Sequence, residues 1–192
     1  MTLRVQAGYD ERMGRGHRPA GGQGGDLIDR IHPLHRVQRA ALGDQMPGER
    51  DEVRQAGEGA RDHAVRRAAG DGTGIRVAGA GHSFTAAVLT DGLLLSLDRL
   101  DRVLDVDSRA GLVRGEAGIT LGALSEALWG RGLALANLGD IDVQSLAGAA
   151  ATGTHGTGAA HPNLSASLRS IQVVSGRGEV VELDADDPDG LR

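Results

Sequence analysis

The pattern of apolar and polar positions changes character part-way along the chain. From Ile75 onward apolar residues fall into short, punctuated runs. Ile75–Val77 is a brief strand-like run, and Leu93–Leu97 (LLLSL) is the continuous kind that a strand buried on both faces shows. In RVLDVDSRAGLVRGEAG, Val103, Leu104 and Val106 precede a polar turn at Asp107–Gly111, and Leu112 and Val113 follow it, which predicts a hairpin. ITLGALSEALWGRG then places Leu121, Leu124, Leu128 and Trp129 at near-helical spacing. Thr120 is the predicted N-cap, and Gly130 or Gly132 the stop. LRSIQVVSGRGEVVELD predicts a second hairpin, Ile171–Val174 and Glu179–Leu183, around SGRG. Strands, hairpin, helix, loop and hairpin in that order make an α+β arrangement.

The beginning of the chain lacks this organisation. MGRGHRPAGGQGGD has no hydrophobic period, and GERDEVRQAGEGARDH is polar throughout. Leu27, Ile28, Ile31, Leu34 and Val37 would mark one helical face, but Pro33 interrupts it. Residues 1–63 are therefore expected to be a poorly patterned leader, either disordered or translated from an unintended frame, and 64–192 to be the folded part.

Composition narrows the possibilities. Tyr9, Phe84 and Trp129 are the whole aromatic supply, so the core must be built from Ala, Val, Leu and Ile. A formal net charge of −5 gives no nucleic-acid footprint. The absence of cysteine excludes disulfides, thiolate catalysis and cysteine-ligated zinc. No apolar run approaches the about eighteen residues of a membrane span. The start of the chain also lacks the basic stretch and apolar core of a secretory signal, so the expected location is cytoplasmic.

Two glycine-rich stretches carry the candidate chemistry. GAGHSFT, Gly79–Thr85, follows the first strand. It matches neither GxxxxGK[ST] nor GxGxxG, yet anion binding needs only successive backbone N–H groups aimed at one point. Gly79 and Gly81 permit such a concavity, and Ser83 and Thr85 can add hydroxyl donors. Taken alone, the stretch fits an ordinary glycine-rich turn better than a phosphate site. The second stretch, SLAGAAATGTHGTG (Ser145–Gly158), begins with small apolar residues suited to a helix lying close to another surface. It ends in a Thr/Gly/His loop suited to a diphosphate or a polar ring edge, or simply to a tight turn. His82, His155 and His161 have no metal-ligand spacing, and adjacency of His82 to Ser83 does not make a catalytic dyad. The sequon at Asn163 is read as chance.

In order and separation, GHSFT, EAG, NLGD and TGTHGTG resemble the FAD-binding half of the sugar-lactone and alditol oxidases, within the vanillyl-alcohol oxidase superfamily. The resemblance runs from about Gly72 to Arg192. It implies a PCMH-type FAD-binding domain of two small α+β subdomains, incomplete and without the cap domain that carries substrate and acid/base residues. No catalytic residue is therefore carried over. It implies FAD contacts from Gly79, Ala80, Gly81, His82, Ser83 and Phe84 in the first loop. In the second it implies Ser145, Gly148, Ala149, Thr152, Gly153, Thr154 and Gly158. His82 matches the position to which many members attach the flavin covalently. The reaction implied is oxidation of a sugar lactone or polyol alcohol by hydride transfer to flavin N5, with oxygen or another acceptor reoxidising the flavin. A chain ending at DADDPDGLR is expected to be inactive alone. A non-catalytic flavin-binding module and a truncated, inactive gene product are the alternatives.

Overall fold

The computed structural model describes residues 1–7, 58–83 and 86–187. Among these, glycine-punctuated runs form strands and two leucine- or alanine-faced segments form the longer helices. In chain order they are β1 (Thr2–Ala7), α1 (Glu58–Asp71), β2 (Ile75–Ala78), β3 (Leu93–Ser96), β4 (Val103–Asp107) and β5 (Leu112–Gly115). Then come α2 (Leu121–Trp129), β6 (Leu133–Leu135), α3 (Leu146–Ala151), β7 (Leu168–Val174) and β8 (Val180–Asp184).

The larger sheet runs β4-β5-β1-β7-β8, with β6 also pairing β1. All its pairings are antiparallel. The first half of β1 lies between two neighbours, Thr2 facing Arg114 of β5 on one side and Ser170 of β7 on the other. Its second half pairs β6, from Val5 with Leu135 to Ala7 with Leu133. The smaller sheet is the parallel pair β2–β3, in register from Ile75 with Leu93 to Ala78 with Ser96.

Each sheet has its own core. α2 turns Leu121, Leu124 and Leu128, all fully buried, onto Val113, Leu133, Leu135, Leu146 and Ala149. The predicted Thr120 cap is present, its hydroxyl accepting from the Ala123 amide at 3.2 Å, and Gly130 is the C-cap. Trp129 falls off this stripe and is 41% exposed, because one helical step beyond Leu128 turns the side chain about 100° away from the seam. α1 covers the smaller sheet with Ala64, Val65 and Ala68 against Leu93 and Leu95.

Both predicted hairpins form, with β8 starting at Val180. The structure differs from the leader reading at the two ends of residues 1–63. Thr2–Ala7 is a central strand, and α1 begins at Glu58. The face from Leu27 to Val37 and the reading-frame question lie outside the described residues.

The segment after β5 ties the sheets together. Glu116, 5% exposed, accepts from the Arg102 backbone amide at 2.9 Å and from the Arg102 guanidinium at 2.9 and 3.2 Å. Gly118 then passes so close to Leu97, at the end of β3, that a Cβ would meet the Leu97 carbonyl. Ala117 and Ile119 accept from the amides of Ala147 and Leu146 at 2.9 and 2.8 Å, which fixes the start of α3. The C-terminal ends of β2 and β3 and the N-terminal end of α3 are thereby brought to one place.

Candidate flavin-binding site

At that convergence the two glycine-rich stretches, far apart in sequence, become walls of one cavity of about 220 Å³. Gly79, Ala80, Gly81, His82 and Ser83 supply one wall, and Ser145, Gly148 and Thr152 the other. Gln144 and Ala151 complete the second wall, with Val77, Ala87 and Val88 at the margin of the first. None of these thirteen residues is a carboxylate, so no fixed negative charge among them opposes an anion.

Local chemistry explains each wall. Gly81 has φ +75°, a left-handed conformation that an L side chain would strain, and this turns the chain sharply out of β2. Gly79 has a different reason to be glycine: a Cβ there would collide with the Ser145 hydroxyl. The amides of Ala80, Gly81 and Ser83 make no hydrogen bond to any described residue. Backbone N–H groups that the other described residues leave clear suit the oxygens of a phosphate or diphosphate. Ser145 is 3% exposed and caps α3, its hydroxyl accepting from the Gly148 amide at 3.3 Å.

The second wall is braced by a polar chain. The Gln144 amide nitrogen donates to the Thr154 hydroxyl at 3.1 Å, and the Thr154 and Thr152 hydroxyls lie 3.5 Å apart. The Thr152 hydroxyl donates to the Gly148 carbonyl at 2.9 Å. Thr154 thus stands behind the lining rather than in it. Ala149 is fully buried in the larger core, one helical step from Gly148. Gly153, with φ +64°, makes the turn out of α3, and Gly158 packs against the His161 ring. Phe84 and Thr85 lie outside the described residues. His155 is exposed and donates from Nδ1 to the Gly156 carbonyl at 2.9 Å. Among the described residues no cluster of His, Asp and Glu has a metal-holding arrangement.

The sequence did not single out Gln144, whose only signal was its place before Ser145. A second, larger cavity of about 760 Å³ adjoins the first, sharing Val77 and Ala151. Its lining is mostly aliphatic, from Val65, Ile75, Leu95, Ala147, Leu168 and Ile171 among others. The smaller cavity has room for a polar portion of a ligand, and the adjoining larger one falls by itself within the several hundred Å³ typical of a cofactor site.

Comparison with known proteins identifies the family. A family model described as "FAD binding domain" matches residues 54–184. L-gulono-1,4-lactone dehydrogenase of Mycobacterium tuberculosis is 45% identical over 135 residues, covering 70% of this chain and 32% of the relative. D-arabinono-1,4-lactone oxidase of Kluyveromyces lactis is 39% identical over 126 residues, covering 64% of this chain and 24% of the relative. Among solved structures, a carbohydrate oxidase from Microdochium nivale superposes with a TM-score of 0.61 at 25% identity, covering 66% of this chain and 28% of that one. The chain spans about a third or less of the length of the curated relatives it matches. Among the described residues no helix is long and apolar enough to cross a membrane. The amides of Ala80, Gly81 and Ser83, clear of other described residues, the hydroxyls of the second loop and the shared cavity fit the cofactor that the family binds, and the mixed helix-and-strand fold is that of its PCMH-type relatives. The chain belongs to the FAD-binding domain family, and an L-gulono-1,4-lactone dehydrogenase and a D-arabinono-1,4-lactone oxidase are among its relatives.

Proposed function

We propose that this chain holds FAD for an oxidoreductase that oxidises a sugar lactone or polyol alcohol. The observation that carries the reading is the joining of Gly79–Ser83 with Ser145, Gly148 and Thr152 around one cavity whose described lining holds no carboxylate. The named activities of the Mycobacterium and Kluyveromyces relatives supply the substrate class. Bound FAD would accept a hydride at N5 and pass the electrons to oxygen or another acceptor. The amides of Ala80, Gly81 and Ser83 would bind the diphosphate, and the Ser145 and Thr152 hydroxyls would orient it. Gln144 would present an amide to the ligand from the second wall. His82 is proposed as the residue that carries the flavin covalently, through its 8α-methyl carbon. Support for this comes from its place in the cavity wall beside the glycines.

The test is a titration of the 192-residue chain with FAD, followed by anaerobic addition of L-gulono-1,4-lactone or D-arabinono-1,4-lactone. Saturable quenching of flavin fluorescence is expected, and bleaching of the visible band on adding lactone would establish turnover chemistry. Saturable binding with an unchanged band would leave a flavin-holding module. No saturable quenching would overturn the reading.

A further inference from the structure

Asn137 belongs to the NLGD motif, and neither the cavity lining nor the flavin contacts account for it. It lies just beyond β6 and directs its side chain at the loop that follows α3. Its Oδ1 accepts from the Gly156 amide at 3.0 Å. Its Nδ2 donates to the Pro162 carbonyl at 3.1 Å and to the His161 carbonyl at 3.3 Å. One planar amide thus grips both the outgoing and the returning limbs of the loop. The two backbones run close together on either side of it. A Cβ on Gly139 would lie 3.1 Å from Thr154 Cγ2, and one on Gly156 would meet the Leu138 carbonyl and Asn137 Oδ1.

We infer that Asn137 is a positioning residue of the flavin site, one that touches no ligand and acts by holding the Thr152–His161 loop in its binding shape. The inference rests on the flavin reading given above. The gripped loop contains Thr154, which is bonded to Gln144 and lies beside Thr152, and both Gln144 and Thr152 line the cavity. Release of the Gly156 and His161–Pro162 anchors therefore loosens one wall of the cavity while leaving both hydrophobic cores untouched. Asparagine is suited to this because a single side chain must offer an acceptor to an N–H and donors to two carbonyls. Aspartate has the same shape and keeps the acceptor, but it turns an anionic oxygen toward the two carbonyls. Alanine removes both functions.

The experiment compares the wild-type chain with Asn137→Ala and Asn137→Asp by three measurements. These are FAD titration, thermal unfolding without FAD, and hydrogen exchange of the Thr152–His161 amides. For Asn137→Ala the expected result is FAD affinity weakened about tenfold or more, faster exchange confined to the loop, and a melting temperature close to wild type. Asn137→Asp is expected to fall between the two. Wild-type FAD affinity in Asn137→Ala overturns the inference. Weakened affinity with a matching loss of global stability and no loop-specific exchange also overturns it, because that describes a purely structural residue. A wild-type chain that binds no FAD overturns the flavin reading, and this inference with it.

Discussion

His82 and the two first-loop glycines do different work, and substitutions separate them. His82→Ala is expected to abolish acid-stable flavin retention, so precipitated protein should lose its yellow colour to the supernatant. Retained flavin would rule out His82 as the attachment point. Gly79→Ala drives a methyl group into the hydroxyl that caps α3. It should cost about 1–2 kcal/mol, on the scale of a lost cap, and weaken FAD binding in a fluorescence titration. Gly81→Ala meets open space, and its cost is left-handed backbone strain of about 1–2 kcal/mol. A denaturant series on both variants should show a stability loss in each, by unrelated causes. Much of this wall was legible in GAGHSFT, because two glycines followed by hydroxyl residues already signalled close backbone approach. The second wall was less legible. Gly148 lines the cavity and Ala149 is in the core, a distinction set by the rotational phase of a six-residue helix that no composition reveals.

Elements with a strong apolar stripe were the most readable, and the small-residue start of SLAGAAATGTHGTG also foretold α3, but α1 and β1 were not legible. α2 announced itself through Leu121, Leu124 and Leu128, flanked by Thr120 and Gly130. Leu124→Ala is expected to destabilise the fold by about 2–5 kcal/mol in urea unfolding, since the side chain is fully buried and its loss leaves a cavity. Trp129→Ala, at an exposed position, should fall within about 1 kcal/mol of wild type in the same assay. α1 escaped notice because its buried face is Ala64, Val65 and Ala68, too little apolar mass to stand out among arginines and aspartates. β1 was harder still. Leu3, Val5 and Ala7 do alternate in TLRVQA, but six residues before a long glycine-rich stretch give the period little room to show. Its importance comes from partners that no local pattern names.

At the scale of the molecule, two sheets with separate cores are joined, among the described residues, by the Glu116–Ile119 segment and by further ties. One of these is the Arg66 guanidinium donating to the Gly178 carbonyl at 3.2 Å. Arg102→Ala leaves the buried Glu116 carboxylate with only part of its partners. Because Arg102 itself is largely exposed, the expected loss is a modest 1–3 kcal/mol or about that, read from a thermal melt. Removal of residues 1–7 should be far more damaging, because it bares the inner edges of β5 and β7 together. Loss of a cooperative melt and concentration-dependent association are the expected signs. The placing of β1 also governs when this chain can fold. The strand at residues 2–7 is made well before its neighbour β7, which begins at residue 168. At ordinary synthesis rates the middle of the larger sheet must wait roughly 10–30 s for its second flank. Sheet closure is therefore a high-contact-order event, and a translating cell must keep β1 from pairing with anything else until the β7–β8 hairpin arrives.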